Sequence, residues 1–233
     1  MKRRPSLTPD TPPQRYREWL THIFDRPVAD PPWYFPTDLT IDVHFHGTPA
    51  ELAALFIHTM QCCKWDLAAF SDAQVDCGLN FILNNSCSDI AIDVKDESLG
   101  VDVRMSLLRS IKTLYADCYE ERCAPVLSHF DEPGATPLNH TCYMLWDVSP
   151  LLYWREDPNC ALFDEVLVEV LQFALALKNP ACIESALHGF GHLRQIMGPT
   201  CPTKAIITRF IETRPASPAL KAYAAAAATG CVL

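Results

Sequence analysis

The chain has 233 residues, of which 49% are apolar and 20% charged, and it carries a net charge of −9. That length can bury its own core without a disulfide or metal, and the composition lies well outside that of a disordered chain. Its most apolar stretch, Ala161 to Leu177, is interrupted by Asp164, Glu165, Glu169 and Gln172, so no segment reads as a membrane span.

In chain order, the opening MKRRPSLTPDTPP is basic and proline-rich with no apolar run after it, which does not fit a secretory signal and leads to the expectation of a cytoplasmic protein. Nineteen prolines look incompatible with helices until their places are noted. Residues 50–124 contain none, and Thr11-Pro12, Thr48-Pro49, Asn179-Pro180 and Ser217-Pro218 each put proline directly after a capping residue. There its missing N–H costs nothing, because that group has no intrahelical acceptor. Thr11-x-x-Gln14, Thr48-x-x-Glu51 and Ser71-x-x-Gln74 also read as capping boxes. With apolar residues recurring at three- and four-residue steps, these signals predict helices near 12–25, 49–63, 72–84, 101–123, 138–148, 160–178, 181–197, 202–213 and 218–229. Strand signal is confined to Thr40–Phe45.

Only two residues separate the expected helices at 160–178 and 181–197, which forces an antiparallel hairpin. The chain is therefore expected to be all-α, with antiparallel helix pairs stacked as an α-α superhelix. Residues 1–36 are expected to form a proline-rich segment with one helix packing on the main domain, and 37–233 a single helical-repeat domain. The segment Ala181-Cys-Ile-Glu-Ser-Ala-Leu-His-Gly-Phe-Gly-His192 resembles the second helix of a HEAT-type repeat and the A-L-H-G-x-G-H core of uncharacterised bacterial helical proteins. The resemblance implies a HEAT-like solenoid and brings no activity with it.

Eleven cysteines are scattered with no C-x-x-C, so they are expected to be reduced core thiols with no structural zinc site and no cofactor. Asp42-Val-His44-Phe-His46 resembles the first-strand motif of metal-dependent amidohydrolases, but nothing after it offers the further strands that such a barrel requires. Glu184, His188 and His192 follow at four-residue steps on the polar side of their helix, opposite Ile183, Ala186, Leu187 and Phe190. A His pair one turn apart can chelate a divalent metal. In an antiparallel hairpin, Glu165 and Glu169 would fall near the level of His192 and His188. A third group, the loop from His129 through Asp131 to Gly134 together with Trp146 and Asp147, has the polar and aromatic mixture of binding loops.

The expected site residues are thus Glu165, Glu169, Glu184, His188, His192, His129, Asp131 and Trp146, with a binding role and no assigned catalytic or metal role. Fifteen carboxylates against six Lys/Arg within residues 51–150 repel phosphate backbones, which speaks against nucleic acid and for a basic protein partner. The expected function is a non-enzymatic protein-interaction module with an acidic face. The alternative is a helical-repeat enzyme, either a metal-dependent hydrolase using His188 and His192 or a protein like the DNA glycosylases.

Overall fold

A computed structural model describes residues 5–6, 12–38, 40–130, 132–198 and 201–232. The fold is all-α, with no strand among the described residues and helices packed on one another as in solenoid-like folds. Among the described residues, no helix is long and apolar enough to cross a membrane. In order, the helices are α1 (Pro13–Phe24), α2 (Pro49–Asp66), α3 (Asp72–Leu83), the single turn α4 (Ile90–Asp93), α5 (Val101–Leu114), α6 (Glu120–Arg122), α7 (Pro137–Val148), α8 (Cys160–Leu175), α9 (Pro180–Met197), α10 (Thr203–Thr213) and α11 (Pro218–Ala227). A π-helical stretch, Tyr115–Tyr119, joins α5 to α6.

The starts of α2, α3, α9 and α11 follow from their caps. Thr48, Asn179 and Ser217 each accept a hydrogen bond from a first-turn amide, and proline occupies the first turn of all three helices. Ser71 and Gln74 form the complete reciprocal box at the start of α3. At Thr48 only half of that box forms, because the Glu51 carboxylate is taken by Arg15 at 2.7 Å. Thr11 lies outside the described residues. All eleven cysteines are free thiols, and most are buried.

The chain forms two compact units. The first comprises the chain to Cys118 with residues Val148–Leu151, and here α2 packs along α5 while α1 packs on α3. Its core includes Trp19, Phe24, Phe56, Phe81, Leu107 and Ile111, all fully buried.

The second unit comprises Tyr119–Asp147 and Leu152–Leu233. Helices α8 and α9 form the hairpin that the short link demands, and α9 packs on α10 and α11 as well. A helix with neighbours on so many sides has no solvated face to spare, and the residues from Ala181 to Gly191 are all buried. Two glycines make this closeness possible. A Cβ on Gly189 would stand 2.6 Å from both Trp146 and Leu171, and one on Gly191 would stand 2.4 Å from Val232. Glycine is tolerated in this helix interior because its neighbours occupy the space of the missing side chain.

Candidate metal centre

The central position of α9 changes the meaning of its polar residues. Glu184 and His188, which the helical periodicity puts on a polar face, are 0% and 1% exposed. A buried polar group needs partners, and an unpaired one costs on the order of 1–3 kcal/mol. Each of these side chains is accordingly tied to another element of the second unit.

Glu184 is the anchor of a loop. One carboxylate oxygen accepts the Ser128 backbone N–H at 2.7 Å, and the other accepts the His129 backbone N–H at 3.1 Å. The His129 ring bonds to the same carboxylate through Nδ1. A carboxylate on that nitrogen favours the tautomer with Nδ1–H, leaving Nε2 as the acceptor. The ring itself lies against Tyr223, with centroids 4.5 Å apart.

One turn further along α9, His188 bonds through Nδ1 to the Tyr223 hydroxyl at 2.6 Å. Tyr223 in turn donates to the Tyr143 hydroxyl at 3.2 Å. Since that phenol spends its proton on Tyr143, it acts as acceptor from His188, which assigns Nδ1–H to His188 and leaves its Nε2 as the acceptor. That lone pair faces His192, whose Nε2 stands 3.0 Å away. His192 Nε2 also lies 3.2 Å from Asp147 Oδ1 at the end of α7.

Two imidazole nitrogens and one carboxylate oxygen therefore converge, all within 4.8 Å of one another. Donors held about 2.0–2.1 Å from a tetrahedral ion stand about 3.3 Å apart, close to the spacings on either side of His192. Access is graded: His188 is enclosed, while the His192 and Asp147 side chains are 21% and 42% exposed.

Electrostatics keep both imidazoles neutral, as ligation requires. Burial is the main force that pushes His188 down to about 3, helped by the neighbouring His192 and His129. Burial also lowers His192, against the opposing pull of Asp147. Burial and the Tyr143 hydroxyl raise Tyr223, which stays a neutral phenol able to accept from His188.

The other residues singled out in the sequence lie elsewhere. Glu165 is exposed on α8 and Glu169 half-buried, and the carboxylate at His192 comes from Asp147 of α7. Trp146 is core, packed beside Gly189. Asp131 lies outside the described residues. The Asp42-x-His44-x-His46 motif folds back on itself: Asp42 accepts the His44 backbone N–H at 3.0 Å and pairs with His46 Nε2 at 2.8 Å, with both side chains largely exposed. Tyr143 and Tyr223 gave no signal in the sequence, since neither stands at helical spacing from His188 or His192. No family model, curated protein or solved structure matches the chain, so the meaning of the cluster rests on its own geometry.

Proposed function

We propose that the second unit binds a divalent transition-metal ion through Asp147, His188 and His192, and that the protein acts as a metal-dependent hydrolase. The observation that carries this reading is the convergence of three donor atoms while Tyr223 holds the far nitrogen of His188. Metal-ligating histidines characteristically give their second N–H to an outer partner, which fixes the ring and the tautomer. Two histidines and one carboxylate suit zinc or iron better than magnesium or calcium, which prefer sites built of oxygen.

Three protein ligands, with the open side toward solvent, leave a coordination place for water or substrate. Such an ion supplies Lewis-acid polarisation and lowers the pKa of water. The chain's own residues orient the ligands through Tyr223 and Tyr143, and Glu184 fixes a second imidazole, His129, on the Tyr223 side of the cluster. An acidic face for a basic protein partner draws on charge alone, and the converging donors support a metal centre with geometry.

Metal analysis of protein purified without chelator tests the proposal. Wild type should carry about one equivalent of zinc or iron per chain more than His188→Gln/His192→Gln, and should hydrolyse activated aryl or phosphate esters in a chelator-sensitive manner. The double variant should lose that equivalent and the activity while keeping a helical circular-dichroism spectrum. Equal metal content in wild type and the double variant would defeat the metal centre. A metal lost on mutation, with no esterolysis by the loaded protein, would leave a binding site and defeat the hydrolase.

A further inference from the structure

The first unit carries a second group of metal-binding side chains, of different chemistry. His58, Cys62 and Asp66 follow at four-residue steps along α2, so they line one face of that helix. Their donor atoms lie within 4.8 Å of one another. His58 Nε2 stands 3.5 Å from Cys62 Sγ. A tetrahedral zinc with Zn–S about 2.3 Å and Zn–N about 2.05 Å would separate its sulfur and nitrogen by about 3.6 Å.

The surroundings support a bound ion. Tyr16 of α1 donates its hydroxyl to Asp66 Oδ2 at 2.9 Å, while its ring meets the His58 ring edge-on at 4.6 Å. One residue thus steadies two of the three donors, as outer partners of ligands do. His58 and Cys62 are 4% and 0% exposed. Burying a charged cluster is costly unless the charges cancel. A thiolate and a carboxylate around a divalent ion sum to zero. His58, but neither Cys62 nor Asp66, also forms part of the wall of a cleft of about 540 Å³, with Ala54, Ile57, Gln61, Leu99 and Val103, so the cleft reaches the site at His58.

We propose that His58, Cys62 and Asp66 form a site for a soft divalent ion of the zinc class, separate from the centre on α9. Its thiolate selects zinc, cadmium or cobalt over magnesium and calcium. Binding releases the thiol proton of Cys62 to solvent, and no electron transfer is involved.

Cobalt(II), added to reduced, metal-free full-length protein, is the probe. Thiolate coordination produces a near-ultraviolet charge-transfer band that a site of nitrogen and oxygen donors lacks, so the band separates this site from the centre on α9. It should saturate at about one equivalent per chain. Cys62→Ser should abolish it, whereas Cys63→Ser, Asp147→Asn and His192→Gln should keep it. Tyr16→Phe, which removes only the hydroxyl on Asp66, should weaken cobalt binding by about 10–100-fold. Absence of the band in wild type, its survival in Cys62→Ser, or its loss in Cys63→Ser would overturn the proposal. Should Cys62→Ser not fold, His58→Gln and Tyr16→Phe decide: cobalt affinity unchanged in both would overturn it equally.

Discussion

His188 Nε2 lies 3.0 Å from His192 Nε2, one helical turn away, and at the same time His188 Nδ1 lies 2.6 Å from the Tyr223 hydroxyl of α11. One nitrogen is committed to the fold and the other is turned toward a neighbouring donor. Removing the Tyr223 hydroxyl should therefore loosen the ring without removing a ligand. Tyr223→Phe is expected to lower zinc affinity by about 10–100-fold and stability by about 1 kcal/mol, read by competition with a chelating dye and by urea denaturation. Unchanged zinc affinity would mean that Tyr223 does not orient the ligand.

The depressed imidazoles set an acid limit on the metal-free protein. His188 is pushed down to about 3 in the folded state, and His192 and His22 are lowered by burial in the same direction. In the unfolded chain each returns to about 6.5. Between these values the unfolded state binds more protons, so stability is complete above about pH 6.5 and is lost as pH falls toward 3. At about 1.4 kcal/mol per pKa unit, His188 alone contributes roughly 3–5 kcal/mol to this loss. Melting temperatures of chelator-treated protein from pH 7 to pH 4 should fall steeply, and His188→Gln should flatten the slope. A flat profile in the wild type would show that His188 is not held neutral by burial.

Glu184 bears on folding more than on the reaction. Its two oxygens serve the backbone amides of Ser128 and His129. Glu184→Gln keeps the shape but turns an NH₂ toward one of those N–H donors, leaving a buried pair unsatisfied. The expected cost is about 2–3 kcal/mol in urea denaturation, with faster proteolysis near residues 128–130. A loss below about 0.5 kcal/mol would mean that the loop does not depend on this anchor.

Gly189 sets how closely α7 and α8 approach α9. Gly189→Ala would gain about 1 kcal/mol of helix propensity. Its methyl group would, however, fall 2.6 Å from Trp146 and Leu171, both wholly buried. Overpacking costs about 1–3 kcal/mol, so a net loss is expected in thermal denaturation. A stabilised variant would show that the helices can part at no cost.

Most of the helices could be read directly from the sequence, because proline in the first turn and a capping side chain are local signals that tertiary packing rarely overrides. The turn α4 and the π-helical stretch at Tyr115–Tyr119 could not be: four residues give no periodicity, and a π turn keeps the apolar stripe of the helix it interrupts. The site was visible only in part. His188 and His192 stand out by spacing, whereas Tyr223 lies 35 residues from the nitrogen it holds. Asp147 could be noticed beside Trp146, but nothing local ties it to His192. Glu165 and Glu169 sit on the hairpin partner of α9, yet Glu165 is turned to solvent because α8 buries Phe163, Val166, Leu167 and Val170 instead. The burial of Glu184 and His188 follows from the number of helices around α9, which no window of sequence reports.

The enclosure of α9 also has a kinetic consequence. Amide protons from Ala181 to Gly191 sit where α8, α10 and α11 all press on one helix. Such amides exchange with solvent only when the surrounding unit opens as a whole, whereas termini and loops exchange through local fraying. His188 is thus mounted on a segment expected to be among the slowest to open, while Asp147, at the end of α7, lies where fraying begins. An incoming ion would meet one imidazole on the slowest-opening helix, a second at the edge of its enclosed stretch, and a carboxylate near the end of another helix.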